Sequence, residues 1–190
     1  MTNLRNEEKN IGLFVGRFEP LTIGHCLVIN EAIKSCDKLV LVLGSTQESL
    51  TKKNPFSATL RAFFITKVYE KEILEGKMIL AFIPDRIHPK DDEERGKYLL
   101  NEVQRQTGLT PNIVYEGSEN VRNYRFNESV KRVTLPKILI PINASMIREY
   151  ILNDDYQKFK EFMPKEISSK EYYEVMRKII IEVNNEEWLC

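Results

Sequence analysis

An α/β fold built on a doubly wound parallel sheet, with a helical segment at its C-terminal end, is predicted by three observations. Short apolar runs, most of them closed by glycine or proline, alternate along the chain with stretches of helical periodicity. The 190 residues suffice for one sizeable core and hardly for two. From Ala144 onward the pattern is helical only.

Ile11–Gly16 reads as a buried first strand. A helix comes next, from Gly24 to Cys36, with Cys26, Val28, Ile29, Ala32 and Ile33 at helical spacing. Leu39–Gly44, with the sequence LVLVLG, is the second strand. Ser57 to Ile73 has the spacing of one amphipathic helix with Leu60, Phe63, Phe64, Val68 and Ile73 facing inward. Met78–Ile83 is a third strand ended by Pro84, Asp91 to Gln106 a charged helix stopped by Gly108, and Asn112–Tyr115 a fourth strand. A fifth strand lies within Val133–Ile140. The helices Ala144–Leu152, Tyr156–Phe162 and Ser168–Val183 complete the chain, broken near Pro164. Strands that alternate with helices pair in parallel through right-handed crossovers. The expected architecture is therefore a Rossmann-like, five-stranded sheet over 11–142, preceded by a polar extension over 1–10. The helical segment over 143–190 is expected to pack on the same domain.

Composition narrows the function classes. The 28 basic and 28 acidic side chains cancel, so a general preference for nucleic acid or an anionic membrane is not expected. The three cysteines, Cys26, Cys36 and Cys190, have no CxxC spacing, which argues against a disulfide framework and a zinc site. The first ten residues are polar and charged, unlike a signal peptide, and no apolar run is long enough to span a bilayer. A soluble protein of the reducing cytoplasm is the expectation. A homo-oligomer is left open.

In a sheet of this kind ligands bind beyond the carboxyl ends of the strands, where strand order reverses. The residues after strands one, two, three and five are therefore the candidates. After strand one comes Gly16-Arg17-Phe18-Glu19-Pro20-Leu21-Thr22-Ile23-Gly24-His25. Its glycines permit tight turns and Pro20 stiffens the connection. His25 falls in the first turn of the next helix, where unpaired N–H groups and the helix dipole favour an anion. Thr22 adds a hydroxyl and Arg17 a forked cation for phosphate oxygens. Gly12, Gly16 and Gly24 are too far apart for a G-x-G-x-x-G fingerprint, and no G-x-x-x-x-G-K-[ST] loop occurs. After strand five, Asn143 or Ser145 is placed to cap a helix on which Arg148 lies one turn further along. Each segment alone is also what an ordinary surface turn or capped helix looks like.

Together they resemble the paired signatures of the nucleotidyltransferase superfamily, GxFxPxHxGH and ISxTxxR. Thr22 stands where many members have the first histidine, Asn143 and Ser145 replace Ser and Thr, and Arg148 matches. The stretch Gly44-Ser45-Thr46-Gln47-Glu48-Ser49-Leu50-Thr51-Lys52-Lys53-Asn54-Pro55-Phe56 resembles the GSAQxSxTxxNPF segment of archaeal-type nicotinamide mononucleotide adenylyltransferases. Arg61 matches an arginine of their next helix, and Ile83-Pro84-Asp85 is similar to their VPD turn.

That resemblance implies transfer of AMP from ATP to nicotinamide mononucleotide, forming NAD and pyrophosphate. It implies that Gly16, Arg17, Phe18, Thr22, Gly24, His25, Asn143, Ser145 and Arg148 hold ATP, with His25 and Arg148 also catalytic. Lys53, Asn54 and Asp85 would hold the acceptor. Mg²⁺ would be bound mainly through ATP, with no metal ligand from the protein. The family commonly has a tryptophan soon after the VPD turn that can stack on the nicotinamide. Here Ile87-His88-Pro89-Lys90-Asp91-Asp92 stands there, and the single tryptophan is Trp188. Either His88 or another aromatic serves the ring, or the acceptor differs. Two alternatives remain. One is the same chemistry on nicotinate mononucleotide, phosphopantetheine, or a sugar or alcohol phosphate; the other is a non-catalytic nucleotide-binding regulator.

Overall fold

The structure is a computed structural model that describes residues 9–85, 92–117, 125–135 and 142–185. Five strands, β1 (Ile11–Gly16), β2 (Lys38–Leu43), β3 (Met78–Phe82), β4 (Ile113–Gly117) and β5 (Lys131–Leu135), form one sheet in the order β3-β2-β1-β4-β5. Every pairing is parallel, with Leu13 opposite both Val40 and Val114, and Leu41 opposite Leu80. Side chains of a strand alternate between faces, so β2 serves two cores at once. Leu39, Leu41 and Leu43 enter one cluster and Val40 and Val42 the other. Both faces of β1 and β2 are covered, which is why these inner strands are continuously apolar rather than alternating, unlike the edge strand β5.

On the first face lie α1 (Ile23–Ser35), α2 (Ala58–Val68) and the C-terminal α5 (Ala144–Leu152), α6 (Tyr156–Phe162) and α7 (Lys170–Asn185). Ile147, Phe159, Tyr173 and Met176 share a single core with Phe14, Ile29 and Phe64. The C-terminal helices are thus part of the main core. On the second face α4 (Asp92–Thr107) buries Leu99 and Val103 against Leu13, Val40 and Val114.

The expectations from the sequence need correction at three places. The segment Ser57–Ile73 is not one helix: α2 ends at Val68 and a short α3 (Glu70–Leu74) comes after it, with Tyr69 between them. Tyr69 is buried, and its hydroxyl donates to Asn30 Oδ1 at 3.1 Å and lies 3.4 Å from the Cys26 carbonyl, both on α1. Fixing the phenol there coincides with the break. The inner stripe is also rotated from the expected one. Arg61, Phe64 and Ile65 are buried, whereas Phe63 is 42% exposed and packs edge-on against Phe64 and Tyr172. The fifth strand begins at Lys131, two residues before the predicted segment, and the predicted remainder over 136–140 lies outside the described residues.

Strand order reverses between β1 and β4, since β2 continues on one side of β1 and β4 on the other. The crevice at this reversal faces the turn after β1 and the start of α1. The end of β4 borders it as well, a strand end that the motifs do not mark. Residues 118–124, beyond Gly117, lie outside the described residues.

Candidate active site

The turn after β1 is shaped by Phe18. Its backbone is left-handed, at φ 55°, and its ring folds back over Gly16. A Cβ at Gly16 would come within 2.3 Å of that ring, so only glycine fits beneath it. The Phe18 ring stands edge-on to the His25 imidazole, with centroids 5.1 Å apart. Thr22 is the N-cap of α1 and is buried; its Oγ1 accepts from the His25 N–H at 3.4 Å. In return the Thr22 N–H donates to His25 Nδ1 at 3.1 Å. A backbone N–H can only donate, so Nδ1 is the accepting nitrogen and the neutral ring carries its proton on Nε2. His25 is therefore fixed in position and tautomer by the same reciprocal cap that starts the helix.

At the start of α5, Asn143 accepts from the Met146 N–H at 3.0 Å and is the cap; Ser145 has a different partner. Arg148 Nη1 donates to the Glu19 carbonyl at 2.6 Å and Nη2 donates to Ser145 Oγ at 3.0 Å. One end of the guanidinium fork thus ties α5 to the turn after β1, while the other stays on α5 itself. Burial lowers the Arg148 pKa, and the Glu19 carboxylate opposes that shift. Ser145 and Arg148 border a cleft of about 160 Å³ closed by Lys52 and Pro55 on one side and by α7 on the other.

Beneath these residues lies a buried ion pair. Arg61, on α2, is 1% exposed and Glu19 is 2% exposed. Arg61 Nε lies 3.0 Å from Glu19 Oε1, an ion pair without the alignment of a hydrogen bond. Arg61 Nη1 donates to the carbonyls of Arg17 at 2.7 Å and Gly44 at 2.8 Å, and Nη2 reaches that of Ser45 at 3.3 Å. Glu19 Oε2 accepts from the Phe56 N–H at 3.0 Å. The ends of β1 and β2 and the NPF turn are tied together through this pair. Sequence motifs alone do not single out Glu19, and they mark Arg61 only as a family match. A charge on the inner face of an apolar helix, as Arg61 is between Leu60 and Phe64, is the signal that could have found the pair.

The segment after β2 joins the same frame. Arg17 Nη1 donates to Asn54 Oδ1 at 3.1 Å, and the Asn54 amide nitrogen donates to Glu48. Asn54 is buried and its N–H bonds Thr51 Oγ1, whereas Lys53 is exposed. Asp85, after β3, accepts from Ser45 Oγ at 2.6 Å, and its N–H donates to Gln47 Oε1 at 2.9 Å. At Gly24 a Cβ would meet only ordinary contacts, the nearest at 3.6 Å, so packing does not demand glycine at the start of α1. His88 and Trp188 lie outside the described residues. Among the described residues, no group of three or more His, Cys, Asp or Glu could hold a metal ion. No helix among them is long and apolar enough to cross a membrane.

Known proteins resemble the chain to different extents. A protein of Thermococcus sibiricus named nicotinamide-nucleotide adenylyltransferase is 39% identical over 75 residues, 39% of this chain and 40% of that protein. One of the same name from Methanococcus aeolicus is 29% identical over 147 residues, 75% of this chain and 78% of that protein. The Thermococcus alignment thus spans less than half of that relative. Among solved structures, a bifunctional NMN adenylyltransferase/ADP ribose pyrophosphatase from Francisella tularensis, complexed with AMP and a manganese ion, superposes with a TM-score of 0.67. The superposition covers 94% of this chain and 53% of that one, at 19% identity, a likeness of fold. A model of the cytidylyltransferase-like family matches residues 13–175, a span that holds both the His25 turn and the Arg148 helix. The chain belongs to the cytidylyltransferase-like family.

Proposed function

We propose that this chain is an adenylyltransferase that joins AMP from ATP to nicotinamide mononucleotide, forming NAD and releasing pyrophosphate. The observation that carries the reading is the pairing of His25, with its proton on Nε2, and Arg148 through the turn after β1. The archaeal relatives and the bond from Arg17 to Asn54, which joins the phosphate turn to the NPF segment, favour a nicotinamide nucleotide as acceptor.

In this reading the acceptor phosphate attacks the α-phosphorus of ATP in line, and pyrophosphate leaves. Both reactants are anionic, so the protein must offset their repulsion and hold the angle of approach; it needs no nucleophile of its own. His25 Nε2–H donates to an α-phosphate oxygen and stabilises the charge that grows there in the transition state. Arg17, Thr22, Asn143, Ser145 and Arg148 hold the triphosphate, chiefly the part that leaves. Gly16 makes room for the Phe18 ring that shapes the turn, and Gly24 presents the bare start of α1 to ATP. Lys53 takes the acceptor phosphate, Asn54 its ribose side and Asp85 its base side. The residues of the cradle are cations and hydrogen-bond donors, which suit phosphate oxygens rather than a metal. Mg²⁺ carried in with ATP would supply further charge neutralisation, with no ligand from the residues of the cradle. Small nucleotides in the cytoplasm are the partners this reading requires; nucleic acid and membrane do not enter it.

Calorimetric titration with an inert ATP analogue tests the phosphate half of the proposal. Arg17→Ala and Arg148→Ala are expected to weaken binding by about 1.5–3 kcal/mol each, the usual worth of a charged hydrogen bond. Arg148→Lys is expected to recover only part of the loss. Lysine keeps the charge, but one ammonium cannot reach the Glu19 carbonyl and Ser145 Oγ with the same planar fork. Wild-type affinity in both alanine variants would make these arginines scaffold only. Formation of NAD and pyrophosphate from ATP and nicotinamide mononucleotide tests the whole.

A further inference from the structure

We propose that Glu19 is a positioning residue for the transfer: it locks the triphosphate turn, Arg148 and the NPF segment into one frame, and its charge tunes how tightly that frame holds an anion. The inference rests on the reading that Arg17 and Arg148 hold the triphosphate.

Three attachments meet at this one residue. Its carbonyl accepts from Arg148 on α5, Oε1 pairs with Arg61 on α2, and Oε2 accepts from the Phe56 N–H. Arg61 extends the frame to the carbonyls that end β1 and β2. The Glu19 carboxylate is buried and spends its oxygens on Arg61 and the Phe56 N–H, so it acts through other groups.

Its charge is held in balance. Burial raises the Glu19 pKa to about 7, against the Phe56 N–H and the positive charges of Arg61, Arg148 and Arg17, all of which lower it. Arg61 arrives from α2, Arg148 from α5 and Arg17 from the same turn; the charges of Asp85 and Glu149 act in turn on Arg61 and Arg148. A triphosphate on Arg17 and Arg148 would draw on the same charges that keep Glu19 ionised. Ionised Glu19 should therefore order the frame and favour the chemical step, while competing with the anion for the arginines. Neutral Glu19 should do the reverse.

Glu19→Gln separates these effects, because glutamine keeps the shape and an acceptor for Phe56 but not the charge. At pH 8 the folded variant is expected to lose about 10–100-fold in kcat while binding the inert ATP analogue about tenfold more tightly, a split that general loosening of the site does not produce. At pH 6, below the raised pKa of the wild-type carboxyl, the two proteins should converge in analogue affinity. Glu19→Asp, which keeps the charge, should retain wild-type affinity at pH 8 and lose turnover through its shorter reach. If Glu19→Gln does not fold, Glu19→Asp alone decides the matter, and wild-type turnover in it overturns the proposal. Equal kcat, or analogue binding weakened rather than tightened in Glu19→Gln at pH 8, overturns it as well. Should the wild type itself fail to bind the analogue, the assigned phosphate site falls first, and with it the setting this proposal needs.

Discussion

Replacing His25 with alanine is expected to lower turnover by about 10²–10⁴-fold, the usual worth of a donor aimed at charge that develops in the transition state. ATP affinity should fall much less, because that interaction strengthens only as the reaction proceeds. The structure adds a reason to expect an effect near the upper end. The Thr22 N–H fixes Nδ1 as acceptor, so the donor is already oriented before substrate arrives. The variant also loses half of the reciprocal cap of α1, a cost of about 1 kcal/mol in stability, so kinetics must be compared on protein shown to be folded. Near-normal turnover in folded His25→Ala would remove His25 from the chemistry and leave it as a capping residue.

The largest effect on stability is expected from Arg61→Ala. The side chain is buried, pairs with a buried carboxylate and serves three backbone carbonyls. Removing one partner of a buried ion pair leaves the other uncompensated and typically costs about 3–5 kcal/mol. A large share of the stability of a domain this size would go, since the whole is commonly about 5–15 kcal/mol. Urea unfolding followed by circular dichroism should show the midpoint falling accordingly, with the slope unchanged. The paired change Glu19→Gln with Arg61→Met should recover part of the loss, because neither partner then remains as an unpaired charge. A shift worth less than about 1 kcal/mol in Arg61→Ala would contradict the picture of a frame that depends on this pair.

Much of this is legible in the sequence, for physical reasons that differ from element to element. Buried parallel strands such as Leu39–Leu43 are continuous apolar runs, so β1, β2 and β3 stand out. The place of His25 in the first turn of α1 is legible from the turn that Gly16 and Pro20 mark before it. What periodicity cannot show is the Glu19–Arg61 pair. A helix that buries an arginine at the centre of its inner face carries a stripe that pattern alone rotates the wrong way, so Phe63 points inward by pattern and is exposed in the fold. Tyr69 sits at the break in Ser57–Ile73 with its hydroxyl partners on α1, a contact between elements that no local window contains. The Arg17–Asn54 bond spans 37 positions and the Arg148–Glu19 bond 129, so the joining of the motifs is a property of the fold. The tautomer of His25 likewise depends on a cap geometry that the residue types only permit.

The central claim is adenylyl transfer to a nicotinamide nucleotide. The most direct measurement is chromatography of the products formed from ATP and Mg²⁺ with nicotinamide mononucleotide, and in parallel with its nicotinate counterpart, while pyrophosphate is counted. NAD and pyrophosphate appearing in equal amounts, and both lost in folded His25→Ala, is the predicted result. If neither dinucleotide forms while another phosphorylated acceptor is consumed with pyrophosphate release, the acceptor assignment is contradicted. If ATP yields no pyrophosphate with any of these acceptors, the transfer itself is contradicted.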